Sequence, residues 1–205
     1  MIHIVDIGIS NLFSVNNSID FLGFEHKISS SPSEILNSSK IILPGVGSFK
    51  AGMLNLKKNN LDQIIKELVT VKEIPILGVC LGMQLLASSS TEDQLEGNCI
   101  EGLNLIDAKV EKFNTTKIKI PHIGFNNIKF TNNTKLFNKI SNNVDFYFLH
   151  SYAIFDTNKH YVSSICNYHA NFVSSIEYNN IYGTQFHPEK SQTNGLQLLK
   201  NFLEI

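Results

Sequence analysis

Cys80 lies between two glycines in Gly78-Val79-Cys80-Leu81-Gly82, and far downstream comes His187-Pro188-Glu189. A thiol, an imidazole and a carboxylate suit acyl transfer: a thiolate attacks a carbonyl carbon, the imidazole moves a proton, and the carboxylate fixes the ring tautomer. The G-x-C-x-G spacing is that of a nucleophile elbow. Such a turn strains the backbone of the nucleophile, and side chains at the flanking positions would clash with the neighbouring strand and helix. A helix beginning at Leu81 would turn free N–H groups and its positive end toward the sulfur, favouring thiolate. The Leu81 N–H is then placed to donate to an oxyanion. The bland alternative, Cys80 as a small buried hydrophobe, is common for free cysteine. The glycines and the strand-to-helix switch oppose it here, whereas Cys99 and Cys166 have no such setting.

In an extended segment residues i and i+2 project to one face. His187 and Glu189 can therefore touch, with Pro188 keeping the segment extended. Taken alone, a solvated His-Pro-Glu at a strand end would explain these residues as well. The elbow cysteine favours the catalytic reading. Leu43-Pro44-Gly45-Val46-Gly47-Ser48-Phe49 is a second glycine turn. It lacks the Gly-Lys-Ser/Thr end of a phosphate loop. It reads either as a plain tight turn or as the source of a second oxyanion donor, from the backbone of Val46 or Gly47. His150, in Tyr147-Phe148-Leu149-His150-Ser151-Tyr152, reads equally as a residue lining the site and as a hydrogen-bonded core histidine. No histidine has the i, i+4 spacing of a helical zinc site, and no C-x-x-C pair exists, so no metal is expected.

The elements that must position these groups follow from periodicity. Ile2 to Asp6 reads as a strand, Leu12 to Leu22 as a helix stopped by Gly23, and Glu25 to Ser29 as a strand. Ser33 is expected to cap a short helix through Asn37. Ile41 to Leu43 reads as a strand halted by Pro44-Gly45. Two helices follow, around Phe49 to Leu56 and Leu61 to Val71, then a strand from Pro75 to Val79 and the helix after Cys80. This alternation predicts a parallel sheet covered by helices on both faces. The second half is strand-rich: Leu105 to Phe113, Asn127 to Phe130, Phe146 to Phe155, Tyr161 to Tyr168, Phe172 to Tyr178 and Ile181 to Phe186. Asn179-Asn180 reads as a hairpin turn, Asn132-Asn133 and Asn142-Asn143 as surface loops, and Thr193 to Glu204 as a closing amphipathic helix. The expected class is α/β, a largely parallel central sheet flanked by helices with added antiparallel strands in the second half, in one domain over 1–205.

Bulk properties narrow the function. A 42% hydrophobic content supports a substantial core, and a net charge of -1 supplies no field for nucleic acid or an anionic membrane. The N-terminus carries no basic stretch followed by an apolar one, and the longest apolar run is too short to span a membrane. Three cysteines without a pairing pattern fit a reducing compartment, so a cytoplasmic location is expected.

Gly78 to Gln84, as G-x-C-x-G-x-Q, and His187-Pro188-Glu189 make the chain resemble the class I glutamine amidotransferases. Four segments narrow the resemblance: Pro44 to Phe49, Pro121-His122-Ile123-Gly124-Phe125-Asn126, Tyr147 to Tyr152, and His187 to Ser191. Together and in order, they are similar to glutaminase subunits of imidazole glycerol phosphate synthase. The resemblance implies that Cys80 attacks the side-chain amide of glutamine to form a thioester, with His187 shuttling protons and Glu189 orienting it. Gln84 would help bind glutamine, with the backbone near Ser151 and Tyr152 completing the pocket. Ammonia would pass unprotonated to a cyclase partner with a β/α barrel in a heterodimer, without metal or organic cofactor. The resemblance also implies that the isolated subunit is weak, because the oxyanion hole is completed in the complex.

Three departures bear on partner and pathway. Asp6-Ile7-Gly8-Ile9-Ser10-Asn11 stands where the family has Asp-Tyr-Gly-x-Gly-Asn, Phe125 stands for a usual Trp, and Ala153 for a frequent aromatic. A related glutaminase feeding surface-sugar biosynthesis and a docking subunit with a vestigial site are the alternatives. A cysteine form of the α/β hydrolases is disfavoured, because their histidine follows the acid in the chain.

Overall fold

The computed structural model describes residues 1–95, 97–114, 119–131 and 134–205. The expected loop at Asn132-Asn133 lies outside them. A nine-stranded sheet runs through the molecule in the order β2-β1-β3-β4-β13-β12-β11-β8-β9. Its first five members are β2 (His26–Ser29), β1 (Ile2–Val5), β3 (Lys40–Gly45), β4 (Ile76–Cys80) and β13 (Ile181–Thr184). These five are mutually parallel. The other four, β12 (Ala170–Tyr178), β11 (Val162–Tyr168), β8 (His122–Phe130) and β9 (Asp145–His150), extend it antiparallel. A second sheet, ordered β10-β7-β5-β6, is built from Tyr152–Thr157, Ile106–Lys112, Ala87–Leu95 and Asn98–Glu101.

The parallel strands are apolar on both faces, as burial by helices on each side requires. Ile41 and Leu43 enter one core, shared with α3 (Phe49–Lys58), α4 (Leu61–Thr70) and α5 (Leu81–Leu85). Ile42, Leu77 and Val79 enter the other, shared with α1 (Leu12–Leu22) and α6 (Gln192–Glu204). Gly23 ends α1 in the left-handed conformation, φ 78°, with its N–H on Asp20 O, as its place in the sequence suggests. Among the described residues no helix is long and apolar enough to cross a membrane.

Several boundaries differ from the sequence reading. Helix α2 (Pro32–Ile35) starts at Pro32 behind Ser31, so Ser33 lies inside it. β3 continues through Pro44 to Gly45, pairing Gly45 with Cys80. Pro44 is tolerated because the pairing of β3 with β1 has already ended, at Ile42; its carbonyl accepts from Ser10 Oγ. α5 stops after five residues because the N–H groups of Leu103 and Leu105 take the carbonyls of Leu85 and Leu86. The serines and threonine that follow form β5 instead of more helix. The run from Phe146 to Phe155 breaks at Ser151, where the chain leaves β9 in the large sheet for β10 in the small one.

Candidate active site

The turn after β4 holds Cys80 at φ 54°, ψ −109°, a conformation that L residues rarely adopt. The flanking glycines are steric necessities. A Cβ on Gly82 would overlap the Leu43 carbonyl oxygen, and one on Gly78 would come within 2.6 Å of the Met83 nitrogen. Leu81 opens α5, so its N–H has no acceptor within the helix. The positive end expected of a long helix is reduced to these first-turn N–H groups, because α5 is so short.

His187 lies three residues past the end of β13, whose Thr184 pairs with Val79 of β4. Cys80 and the histidine segment thus emerge from neighbouring parallel strands. Pro188 does not keep the chain extended: Pro188–Lys190 forms a 3-10 turn, and Glu189 meets the ring across it. His187 Nδ1 donates to Glu189 Oε1 over 2.8 Å, and both side chains are almost wholly buried. Nε2 and Glu189 Oε2 have no hydrogen-bond partner. Burial of the ring works against its charge. The nearby Cys80 sulfur, which favours the imidazolium when ionised, joined by Glu189, outweighs burial and pushes the imidazole up to about 10. The ring therefore lies within electrostatic reach of the thiol. Ser191 locks the turn: its Oγ donates to His187 O at 2.6 Å and accepts the Tyr147 N–H at 3.0 Å. By contrast, burial pushes Cys166 up to about 12, which keeps it a thiol.

A cavity of about 260 Å³ opens over the sulfur, lined by Val46, Gly47, Cys80, Leu81, Gln84, Glu92, Leu149, His150, Ser151 and Tyr152 among others. Gln84 spends both amide hydrogens on the protein, donating to Tyr152 O and to Gln185 Oε1, each at 2.9 Å. Its Oε1 is left for a ligand. A larger hollow of about 950 Å³ beside α6 is lined by neither cysteine nor histidine.

A family model for class I glutamine amidotransferases matches residues 3–205. The chain belongs to that family. It is 47% identical to imidazole glycerol phosphate synthase subunit HisH 1 of Parasynechococcus marenigrum, covering 100% of this chain and 97% of the relative. It is 43% identical to subunit HisH 2 of Methanococcus maripaludis, covering 100% and 99%. Among solved structures, a glutamine amidotransferase superposes with TM-score 0.76 at 15% identity, covering 99% of this chain and 97% of that one. A glutamine amidotransferase of Thermotoga maritima gives 0.64 at 18%, covering 99% and 80%; these two structural likenesses bear on the fold alone. The enzyme is a glutamine amidotransferase of α/β fold.

Of the amidotransferase's expected site residues, Val46, Gly47, Cys80, Leu81, Gln84, Ser151 and Tyr152 line the cavity, whereas the His187–Glu189 pair lies buried outside its lining. The Val46 N–H donates to Ile9 O at 2.9 Å, so it is not free to serve as the second oxyanion donor. Gly47, at φ 98°, lies at the cavity rim without such a bond. Sequence reasoning missed Glu92, hidden in the polar run Ser88 to Gln94, to which it assigned no element. On β5 it reaches the cavity, and its Oε2 accepts the Phe49 N–H at the start of α3 over 2.7 Å. Desolvation raises its carboxyl above the ordinary range. It also missed Gln185, whose Nε2 lies 3.7 Å from Cys80 Sγ.

Proposed function

We propose that the chain works as the glutaminase subunit of an imidazole glycerol phosphate synthase in histidine biosynthesis, with Cys80, His187 and Glu189 as its catalytic triad. What supports this reading is the buried imidazole that donates Nδ1–H to Glu189 and whose proton affinity is raised by the Cys80 sulfur, the sulfur itself lining the cavity. Cys80 attacks the δ-carbonyl carbon of glutamine, and the oxyanion draws on the Leu81 N–H. His187 Nε2 gives its proton to the departing ammonia and then takes one from the water that hydrolyses the thioester. Glu189 holds Nδ1–H in place throughout. Gln84 Oε1 and the Glu92 carboxylate offer acceptors to the α-ammonium, and the backbone at Ser151 and Tyr152 closes the pocket.

The partner is a cyclase with a β/α barrel. The relatives' names describe them as subunits of imidazole glycerol phosphate synthase. Leu149 on β9, which lines the cavity, pairs with Ile123 on β8, and with Phe125 these exposed apolar side chains supply a docking face. Turning the Val46 amide off Ile9 would complete the oxyanion hole on docking.

The test is glutamate release from glutamine, with and without the cyclase, for wild type and Cys80→Ala. Cys80→Ala should lose hydrolysis yet still assemble and support ammonia-dependent cyclase turnover. Full hydrolysis by Cys80→Ala would rule the mechanism out.

A further inference from the structure

One chain of hydrogen bonds crosses the interior and ends on the nucleophile. Asn126 Nδ2 donates to Asn167 O at 3.2 Å and to His122 Nε2 at 3.3 Å. His122 Nδ1 and His150 Nε2 share a bond of 3.1 Å, and His150 Nδ1 meets Tyr152 O at 2.9 Å. Gln84 donates to the same Tyr152 carbonyl and to Gln185 Oε1, and Gln185 Nε2 points at Cys80 Sγ.

The Tyr152 carbonyl can only accept, and this fixes every other member. His150 must carry its proton on Nδ1, so its Nε2 accepts from His122 Nδ1–H. His122 Nε2 then accepts from Asn126. On the other branch Gln84 must present its amide nitrogen to Tyr152. Its second hydrogen requires an acceptor from Gln185, which leaves the Gln185 Nε2–H groups for the sulfur. Gln185 is wholly buried, so this amide has no water to turn toward. His122 is clamped between the Phe148 and Tyr168 rings, at 4.8 and 3.9 Å with 21° tilts.

We propose that Gln185 is a further catalytic residue, donating an amide hydrogen to the Cys80 thiolate, and that His150 and His122 are positioning residues that hold it there through the Tyr152 carbonyl and Gln84. The proposal rests on Cys80 being the nucleophile. As a thiol, Cys80 instead donates to Leu149 O, 3.7 Å away. The Gln185 bond strengthens whenever the sulfur is charged, as in the attacking thiolate and again as the thioester breaks. In that second step water attacks the acyl carbon, His187 takes a proton from the water, and the C–S bond breaks. Its electron pair returns to Sγ, where the amide hydrogen meets it. Burial holds both histidines neutral, His150 down to about 3 and His122 to about 4, so the relay keeps its direction across the working pH range.

The test is the pH profile of iodoacetamide alkylation, read by mass on the peptide carrying Cys80, for wild type, Gln185→Met, Gln185→Glu and His150→Asn. Glu92 at the cavity and the buried His187–Glu189 pair stay unchanged. Losing a hydrogen bond to a charged sulfur should move the alkylation midpoint up by about one pH unit in Gln185→Met, a roughly tenfold slowing below it. Gln185→Glu, which keeps the acceptor for Gln84 but sets a carboxylate against the sulfur, should move it further. His150→Asn should move it in the same direction by less. If Gln185→Met does not fold, Gln185→Glu carries the test. Unmoved midpoints in folded Gln185 variants would overturn the proposal. A wild-type Cys80 that alkylates only like a free thiol would overturn the nucleophile assignment instead.

Discussion

His187 and Glu189 form a closed pair, Nδ1 to Oε1 at 2.8 Å, shut away from solvent on both sides. The carboxylate fixes the tautomer so that Nε2 alone faces the chemistry. Glu189→Gln keeps an oxygen able to accept from Nδ1 but loses the charge that favours the imidazolium. Glutamine turnover should fall about 100-fold, within the range of misplaced acid–base catalysis. The deficit should be smaller than for Cys80→Ala, which removes the bond-forming atom. Steady-state glutamate release measures both, and an unchanged rate would remove Glu189 from the mechanism.

The raised His187 pKa sets the alkaline limit of that turnover. Ammonia leaves with a proton taken from Nε2, so the imidazolium is the required form. An ordinary histidine would lose this form above pH 6.5; here the sulfur and Glu189 hold the proton up to about 10. The alkaline limb of kcat/KM, which reports the free enzyme, should therefore lie well above pH 8. Ring NMR of Cys80→Ala should show His187 deprotonating at lower pH than in wild type, because the chief upward influence has gone. A wild-type limb near pH 6.5 would contradict the assignment.

What could be read in advance follows local chemistry. The elbow was legible because the glycines around Cys80 have no other role that fits a strand end, and the structure shows what their side chains would strike. The parallel strands were legible because burial on both faces leaves unbroken apolar runs such as Ile41 to Leu43. Glu92 and β5 were not. Ser88 to Gln94 carries no apolar alternation, and its strand exists only because β7 and β6 pair with it. The break at Ser151 was hidden for the opposite reason: apolar residues continue on both sides while the pairing partner changes from β8 to β7. Nor does any local pattern reveal that the Val46 N–H is held by Ile9, since that bond joins two loops.

The buried histidine pair predicts acid sensitivity of the fold. His122 and His150 have folded pKa values depressed by burial to about 4 and about 3. Below pH 6.5 the unfolded chain protonates both rings and the folded one does not. Stability from this source is thus complete above the unfolded pKa and is lost as pH falls toward 4, at up to about 1.4 kcal/mol per pH unit for each histidine. Urea unfolding from pH 7 to 4.5 should show that decline, and His122→Asn should flatten it. An identical slope in wild type and His122→Asn would refute the assignment.

The strain at Cys80 can be separated from its chemistry. Its φ of 54° with ψ of −109° suits glycine and opposes any residue with a Cβ, a strain of about 1–3 kcal/mol. Alanine at this position keeps that strain, whereas glycine relieves it. Against this, glycine frees the unfolded chain, which costs about 0.4–1 kcal/mol. The two effects leave Cys80→Gly more stable than Cys80→Ala by about 1 kcal/mol, with both devoid of glutaminase activity. Denaturant unfolding of the two variants at neutral pH decides the matter. If Cys80→Ala proves equal or superior, the turn stores no strain, and the glycines beside it serve only to let Leu43 and Met83 come close.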